Sequence, residues 1–459
     1  IWIREGFGNR QIRHRLNKQT PGLGALYSIT WWLTMITSMS KTMGLTRRKF
    51  LASTAALIAS SRVSLVQGSS PYDGPYLMTI HANGGWDLSL FCDPKVNVPG
   101  ELPITNWSEA GDTQSIGNIL FAPIANNDEL FRKIAADSLV INGVDTQTNA
   151  HQTGERHTWT GSPSEGRPTL AALYAAAKAP NAPIALINNG IFGADQGLVR
   201  TARTNPGGLK ELVRPRNSTE EALLAKYKTR GLNVLSEQER YNDALANRIG
   251  AFETGMQGRI LLDELYSNLP NEMPQSQGAY QGESNLKAQI QTGLVAFSTG
   301  TTASVECGAG GNWDTHSSGE FSQVQNIQAL NDALIYLWDM ADELEIRDKL
   351  VVVVSSDFGR TPYYNSFGGK DHWPINSYLI MQGNADWGGR SVGQTDALQN
   401  AEKIDPSTLK VSNSGSLIYP KHVHHSLHRY LGIEQFAAQI GYGFQQTEQY
   451  DFFNPNLMT

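Results

Sequence analysis

Cysteine is scarce in this 459-residue chain: only Cys92 and Cys307 are present. That excludes a disulfide framework and a four-thiolate zinc site. The pair either forms one bridge in an oxidising compartment or stays as two buried thiols far apart. A basic surplus is missing too. A formal net charge of -6 supplies no face to replace counterions along a phosphate backbone, which argues against a general nucleic-acid binder. No internal repeat occurs, and nothing fibrous is present. With 17% charged and 40% hydrophobic residues the chain has the composition of an ordinary globular protein, long enough to bury a substantial core.

The N-terminal region reads as an address. Thr46-Arg47-Arg48-Lys49-Phe50-Leu51 sets paired arginines before a mildly apolar stretch, Phe50 to Ser60. Charged, apolar and polar regions follow in the order of a twin-arginine (Tat) export signal. The apolar part is too short, and too rich in Ser, Thr and Ala, to span a bilayer, which needs roughly 20 apolar residues. Residues 43–68 are therefore expected to engage the Tat export machinery, with membrane contact only in transit. Residues 1–42, which start at Ile1 and run through the basic stretch Arg4 to Lys18, read as an over-extended frame upstream of Met43. The rival reading is an anchor, because Leu26 to Met39 contains Trp31, Trp32, Leu33 and Ile36. No clear small-x-small cleavage site precedes Ser69. Residues 69–459 are expected to form one α/β domain, periplasmic or secreted.

Within that domain Tyr76 to Ala82 is an apolar run ending in Asn83-Gly84-Gly85, as a buried strand feeding a loop would be. Ser138 to Asn142 and Pro183 to Ile187 predict short strands, with a helix over Pro168 to Lys178 between them. Asn217 to Asn268 is polar and helical in pattern, and it predicts a helical insertion. The clearest βαβ unit comes later: β-branched Thr301 to Glu306, helical spacing over Phe321 to Leu344, then the almost pure valine strand Leu350 to Val354. Such a strand belongs in the centre of a sheet. In open α/β sheets the chemistry gathers beyond the carboxyl ends of the strands.

Three predicted strand ends carry acids and histidines. Gly84-Gly85-Trp86-Asp87 follows the first strand, Trp313-Asp314-Thr315-His316 follows the Thr301 strand, and Ser355-Ser356-Asp357-Phe358-Gly359-Arg360-Thr361 follows the valine strand. Gly368-Gly369-Lys370-Asp371-His372-Trp373-Pro374 comes shortly after. Oxygen and nitrogen ligands converging on one rigid edge suit a divalent metal. Singly, Asp87 or Asp357 caps a turn and His316 or His372 is a hydrogen-bonded structural histidine. Together at one edge they favour a site. Arg360 and Lys370 either hold a sulfate or phosphate oxyanion or form surface ion pairs. His424 and His428, four apart in Lys421-His422-Val423-His424-His425-Ser426-Leu427-His428, have zinc-ligand spacing, but no third ligand is evident nearby and an exposed polar helix face is the expectation.

The set GGWD, NWDTH, SSDFGRTP and GGKDHWP resembles the domain of unknown function 1501, an uncharacterised, typically Tat-exported family related to alkaline phosphatases and sulfatases. The resemblance covers about Tyr76 to the C-terminal helix. It implies a three-layer α/β/α alkaline-phosphatase-like sheet and a metal-dependent hydrolase of sulfate or phosphate esters, acting on a small-molecule or polysaccharide anionic ester. It implies divalent metal ions, zinc first, with manganese, magnesium or calcium as alternatives. By motif position the ligands would be Asp314 and His316, Asp357, and His372 with Asp371 beside it. Asp87 would match the acid after the first strand, with Asn83 competing for that role. Phe358 stands where relatives often have a histidine, a departure from the pattern of a complete two-metal site. In Asn149-Ala150-His151-Gln152-Thr153-Gly154, Ala150 holds the position of the family's serine. Thr153 could replace that nucleophile, and His151 is a ligand, a base or the reactive group. The sulfatase Cys-x-Pro-x-Arg pattern is missing. An exported binding or assembly protein that keeps the fold without turnover is the alternative.

Overall fold

A computed structural model describes residues 71–107, 112–236, 258–276, 285–317, 319–444 and 447–457. The arginine pair, the apolar stretch after it and the boundaries at 43 and 69 lie outside the described residues. So does the middle of the expected insertion, which is flanked by the helix Ser218–Ser236 and a helix over 258–268.

The strands run in chain order β1 (Tyr76–Ala82), β2 (Gln114–Ile116), β3 (Ile119–Phe121), β4 (Ser138–Asp145), β5 (Leu186–Asn188), β6 (Thr201–Arg203), β7 (Ser304–Gly308), β8 (Leu350–Ser356), β9 (Gly359–Arg360), β10 (His372–Trp373), β11 (Ile375–Met381) and β12 (Arg390–Val392). Eight of them form one sheet in the order β12-β4-β11-β8-β1-β7-β5-β6. The valine strand β8 is central, as its composition predicts. It is buried along its whole length because a strand covered on both faces must be apolar throughout. Alternate residues enter two cores. Met78, Ile80, Val305, Val352 and Val354 pack with the helices Asn127–Ile134, Leu286–Ser298 and Gly319–Glu343. Leu77, Val351, Val353 and Ile380 pack with Leu170–Lys178 and Pro420–Tyr430 on the other face. The result is a helix, sheet, helix sandwich of the expected three-layer class.

Register then fixes where the loops meet. β1 is parallel to both β7 and β8, with Ala82 opposite Ser356 and Ile80 opposite Cys307. The carboxyl ends of these three strands therefore share one edge. β11, which the motif reading does not separate from its loop, runs antiparallel to β8 and to β4. Its first residue sits at that same edge and brings His372 there, while β4, parallel to β8 through these two reversals, delivers the helix His151–Thr160. Cys92 and Cys307 are both buried and free, so the single bridge does not form.

Candidate metal centre

His151 is the first residue of its helix, His316 follows β7, and His372 lies in β10 just before β11. Each donates one ring N–H away from the others. His151 Nδ1 lies 2.5 Å from Asp357 Oδ2, His316 Nδ1 2.7 Å from Asp371 Oδ1, and His372 Nδ1 2.7 Å from the Asn149 carbonyl. Carboxylates and carbonyls only accept, so in each neutral ring the proton sits on Nδ1 and the lone pair on Nε2. All three Nε2 atoms then face Asp314. His316 Nε2 is 3.0 Å and His372 Nε2 3.1 Å from Asp314 Oδ1, His151 Nε2 is 3.4 Å from Oδ2, and the His316 and His372 Nε2 atoms are 3.0 Å apart.

A cation among these acceptors would relieve their mutual repulsion. Four ligands bound to zinc at about 2.0–2.1 Å in a tetrahedron lie roughly 3.3 Å from one another. The 3.0–3.4 Å separations of the Asp314 oxygens from the three Nε2 atoms, and of His316 from His372, and the imidazole and carboxylate chemistry suit such an ion, although His316 lies outside the group whose ligand atoms are all mutually close; the outward Nδ1–H bonds are the usual support of metal-binding histidines. His151, Asp314 and His372 in particular bring ligand atoms within 4.8 Å of one another.

Electrostatics agree with these roles. Burial pulls the Asp314 carboxyl upward, but the hydrogen bond and charge of Arg360, with the nearby His372 and His151 rings, outweigh it and hold the group well below the ordinary range. Burial opposes Asp357 likewise, and the His151 bond and nearby histidines keep it low. The Asp357 hydrogen bond raises His151. Asp357 has no exposed side-chain surface, and its other oxygen accepts from Gly84 N, Ser356 Oγ and Phe358 N.

Several expected site residues take other roles. Arg360 is fully buried and donates to the carbonyls of Gly84, Gly85, Trp313 and Lys370 and, at 2.7 Å, to Asp314. With its donors so engaged it is not placed to hold an oxyanion; it fixes Asp314 instead. Lys370 Nζ is spent on Asp87 Oδ2 at 2.7 Å and on Ser89. Asp87 is thus half of a buried ion pair, its second oxygen capping the turn at Ser89, and it is not a ligand of this cluster. Asp357 and Asp371 support His151 and His316 through Nδ1. Thr153 is two residues beyond His151, a spacing that turns it to another face of the helix, and among the described residues no hydrogen bond joins its hydroxyl to the cluster. Ala150 is the N-cap and offers no side-chain bond. The Phe358 ring centroid lies 4.8 Å from that of His151 and 4.6 Å from that of His372, so it sets carbon against both imidazoles.

The glycines of GGWD explain themselves here. Gly84 has φ +126°, and a Cβ on it would lie 2.8 Å from the Asp314 amide. A side chain would separate the two loops. Motif reading missed Asn365, which donates to the His316 carbonyl and to Asp371, and Gln323, which ties Gly85, Trp313 and Thr315 together. It named Asn83 but missed its partner Glu155, 3.0 Å away beside the site, where burial and then the Asp357 charge raise Glu155. A buried polar residue one or two turns after a motif was the available signal for Gln323.

Residues 194–413 match the family model described as Protein of unknown function (DUF1501). The DUF1501 segment contains the β7, β8 and β10 motifs, whereas His151 lies upstream of it. No curated protein matches the chain in sequence. Among solved structures it is similar to Ps i-CgsB in complex with k-i-k-neocarrahexaose, at 8% identity over 83% of this chain and 75% of that one, TM-score 0.38. It is also similar to an alkaline phosphatase superfamily protein from Vibrio parahaemolyticus, at 10% identity over 80% and 68%, TM-score 0.36. A third is a variant of the alkaline phosphatase of the Antarctic bacterium TAB5 with Mg bound, at 11% identity over 69% and 94%, TM-score 0.32. Likenesses this distant carry no argument about what this chain acts on.

Proposed function

We propose that this chain is an exported hydrolase of sulfate or phosphate esters working at a single divalent metal centre, zinc first by ligand chemistry, held by His151, Asp314, His316 and His372. The observation that carries the reading is the convergence of three Nε2 lone pairs on one carboxylate. A divalent ion bound there would supply Lewis-acid stabilisation of charge developing on the ester oxygens. The chain's own groups would do the rest. Asp357, Asp371 and the Asn149 carbonyl orient the three imidazoles, and Arg360 holds Asp314 toward them. The N-terminus of the His151 helix has no side-chain cap, and its His151 and Gln152 N–H groups would be the ones to meet an anionic group, Thr153 N–H being bonded to the Ala150 carbonyl. A small-molecule or polysaccharide ester, delivered to a periplasmic or secreted protein, suits that anion-binding edge; among the described residues no helix is long and apolar enough to cross a membrane.

A second reading rests on two residues. Ala150 removes the side-chain nucleophile and Phe358 removes a second metal ligand, as in a binding or assembly protein that has lost turnover. Elemental analysis of the purified protein, followed by an aryl sulfate and phosphate ester screen, separates the two. The hydrolase reading expects about one divalent ion per chain and turnover that disappears with His372→Ala. Metal without turnover of any ester supports the binding reading, and less than about a tenth of an ion per chain overturns the metal-dependent hydrolase.

A further inference from the structure

A groove of about 540 Å³ opens at the β12 end of the sheet, between the β2–β3 hairpin, β12 and the connection that follows β12. That is the size of a small-molecule site. Its floor is polar, with Asp93, Asn142, Ser391 and Thr395, and its lips carry the aliphatic side chains Leu120 and Val411, each 47% exposed. The floor is held in place: Asp93 accepts from Lys95 Nζ at 2.9 Å and from Thr395 Oγ1 at 2.6 Å, and Asn142 donates to the Cys92 carbonyl. Position ties the groove to the metal centre. β12 is parallel to β4, which two reversals make parallel to β8, so Gly393 and Thr395 just past β12 lie toward the edge that carries the site. Three strand steps separate β12 from β8, about 14 Å in all. Trp373, next to His372, donates Nε1–H to the Gln399 carbonyl at 2.9 Å and so pins that connection to the strand bearing the ligand.

The chemistry of the wall narrows the occupant. β12 is an edge strand, but the Asn118 amide accepts from Ser391 N–H at 2.8 Å and donates to its carbonyl at 3.0 Å. The backbone groups that an added peptide strand would need are thereby taken. Among the described residues no aromatic ring lines the groove, so a nucleobase finds no stacking platform. A lipid tail would seal the amides and hydroxyls of the floor against carbon. Lys95 is answered by Asp93, whereas Lys410 is exposed and has no acidic partner among the described residues. A hydroxyl-bearing ring with C–H faces and a negative charge meets the hydrogen-bonding floor, the aliphatic lips and that ammonium together.

We propose that this groove is a saccharide subsite, in which a sugar unit of an anionic polysaccharide lies on the Asn142 and Ser391 floor with its charged group at Lys410. The inference rests on the hydrolase reading and narrows its ester from a small molecule to a polysaccharide, because a ligand that fills the groove and also reaches the metal centre about 14 Å to the side must extend beyond one ring.

Isothermal titration of the full chain with short dextran sulfate tests the subsite, with unsulfated dextran of the same length and inorganic sulfate as comparison probes. Dextran sulfate is expected to bind more tightly than either. Lys410→Glu should weaken it about tenfold, and Lys226→Glu, the same charge reversal at an exposed position of the helix Ser218–Ser236, should change it less than about twofold. A comparison probe that binds as tightly, an equal loss in both variants, or no loss at Lys410 overturns the subsite. Turnover of a small aryl ester by the unaltered protein separates this proposal from the one it rests on. Saccharide binding that depends on Lys410, without turnover of any ester, keeps the subsite and removes the hydrolase; ester turnover with binding indifferent to Lys410 keeps the hydrolase and removes the subsite.

Discussion

The chain uses histidine in two opposite ways, at the sheet edge and on the helix Pro420–Tyr430. At the edge three rings spend Nδ1–H on outer supports and turn lone pairs toward a carboxylate, with His316 about half exposed. On the helix His422, His424, His425 and His428 are all buried, and the expected exposed polar face is absent. His422 and His425 reach Glu448 and Glu434 on the rim, His424 bonds the Thr158 carbonyl, and His428 packs against Phe444. Burial lowers His422, His424 and His428. Spacing of four on a helix is shared by a ligand pair and by core histidines. The direction in which the second ring nitrogen points separates them.

The largest effect should come from breaking the edge cluster. His372→Ala is expected to reduce bound metal at least about tenfold by elemental analysis, because removing a ligand costs more than the 10–100-fold typical of losing a supporting group. Chelation of the wild type should lower its stability by about 2.7 kcal/mol, if metal had been present at a hundred times its Kd, measurable as a drop in melting temperature. The helix cluster should behave in reverse. His424→Ala is expected to cost about 2–4 kcal/mol through a lost buried bond and the space left behind, with metal content unchanged in the same assay.

Acid sharpens the contrast further. His81 and His157 are pushed down to about 4 and His424 to about 3, burial being the first cause in each. The unfolded rings titrate near 6.5, so between there and the folded values the unfolded chain binds more protons. The stability these rings contribute is complete above about pH 6.5 and is lost as pH falls toward 4, by at most about 1.4 kcal/mol per pH unit for each ring. Denaturant melts at stepped pH should show that slope, and His424→Gln should flatten it. The smallest effect belongs to Thr153→Ala: stability within about 0.5 kcal/mol and metal content unchanged. A collapse of ester turnover in that variant would return the nucleophile to Thr153.

The fold was legible because its strands are apolar runs: Tyr76–Ala82 matches the expected bounds, and the valine run places β8. The histidines and Asp314 were legible because their motifs end strands that register aligns. Partner choice was not. Lys370 and Asp87 are far apart in sequence, and nothing local says that each takes up the other or that Arg360 faces inward. The antiparallel β11 hid behind its loop because it begins at Ile375, directly after the DHWP motif, with only Pro374 between it and β10. The histidine helix misled because polar composition reads as solvent contact, and only tertiary packing reveals that neutral, hydrogen-bonded rings fill a core.

The buried Arg360 guanidinium has a consequence for motion. It fastens the loop after β1, the loop after β7 and the backbone at Lys370 to one rigid fork, so none can peel away without stranding a charge in the interior. These loops should open to hydrogen exchange as one unit. The floor beneath Asp314 is then either assembled or absent, and thermal fluctuation cannot blur it by degrees.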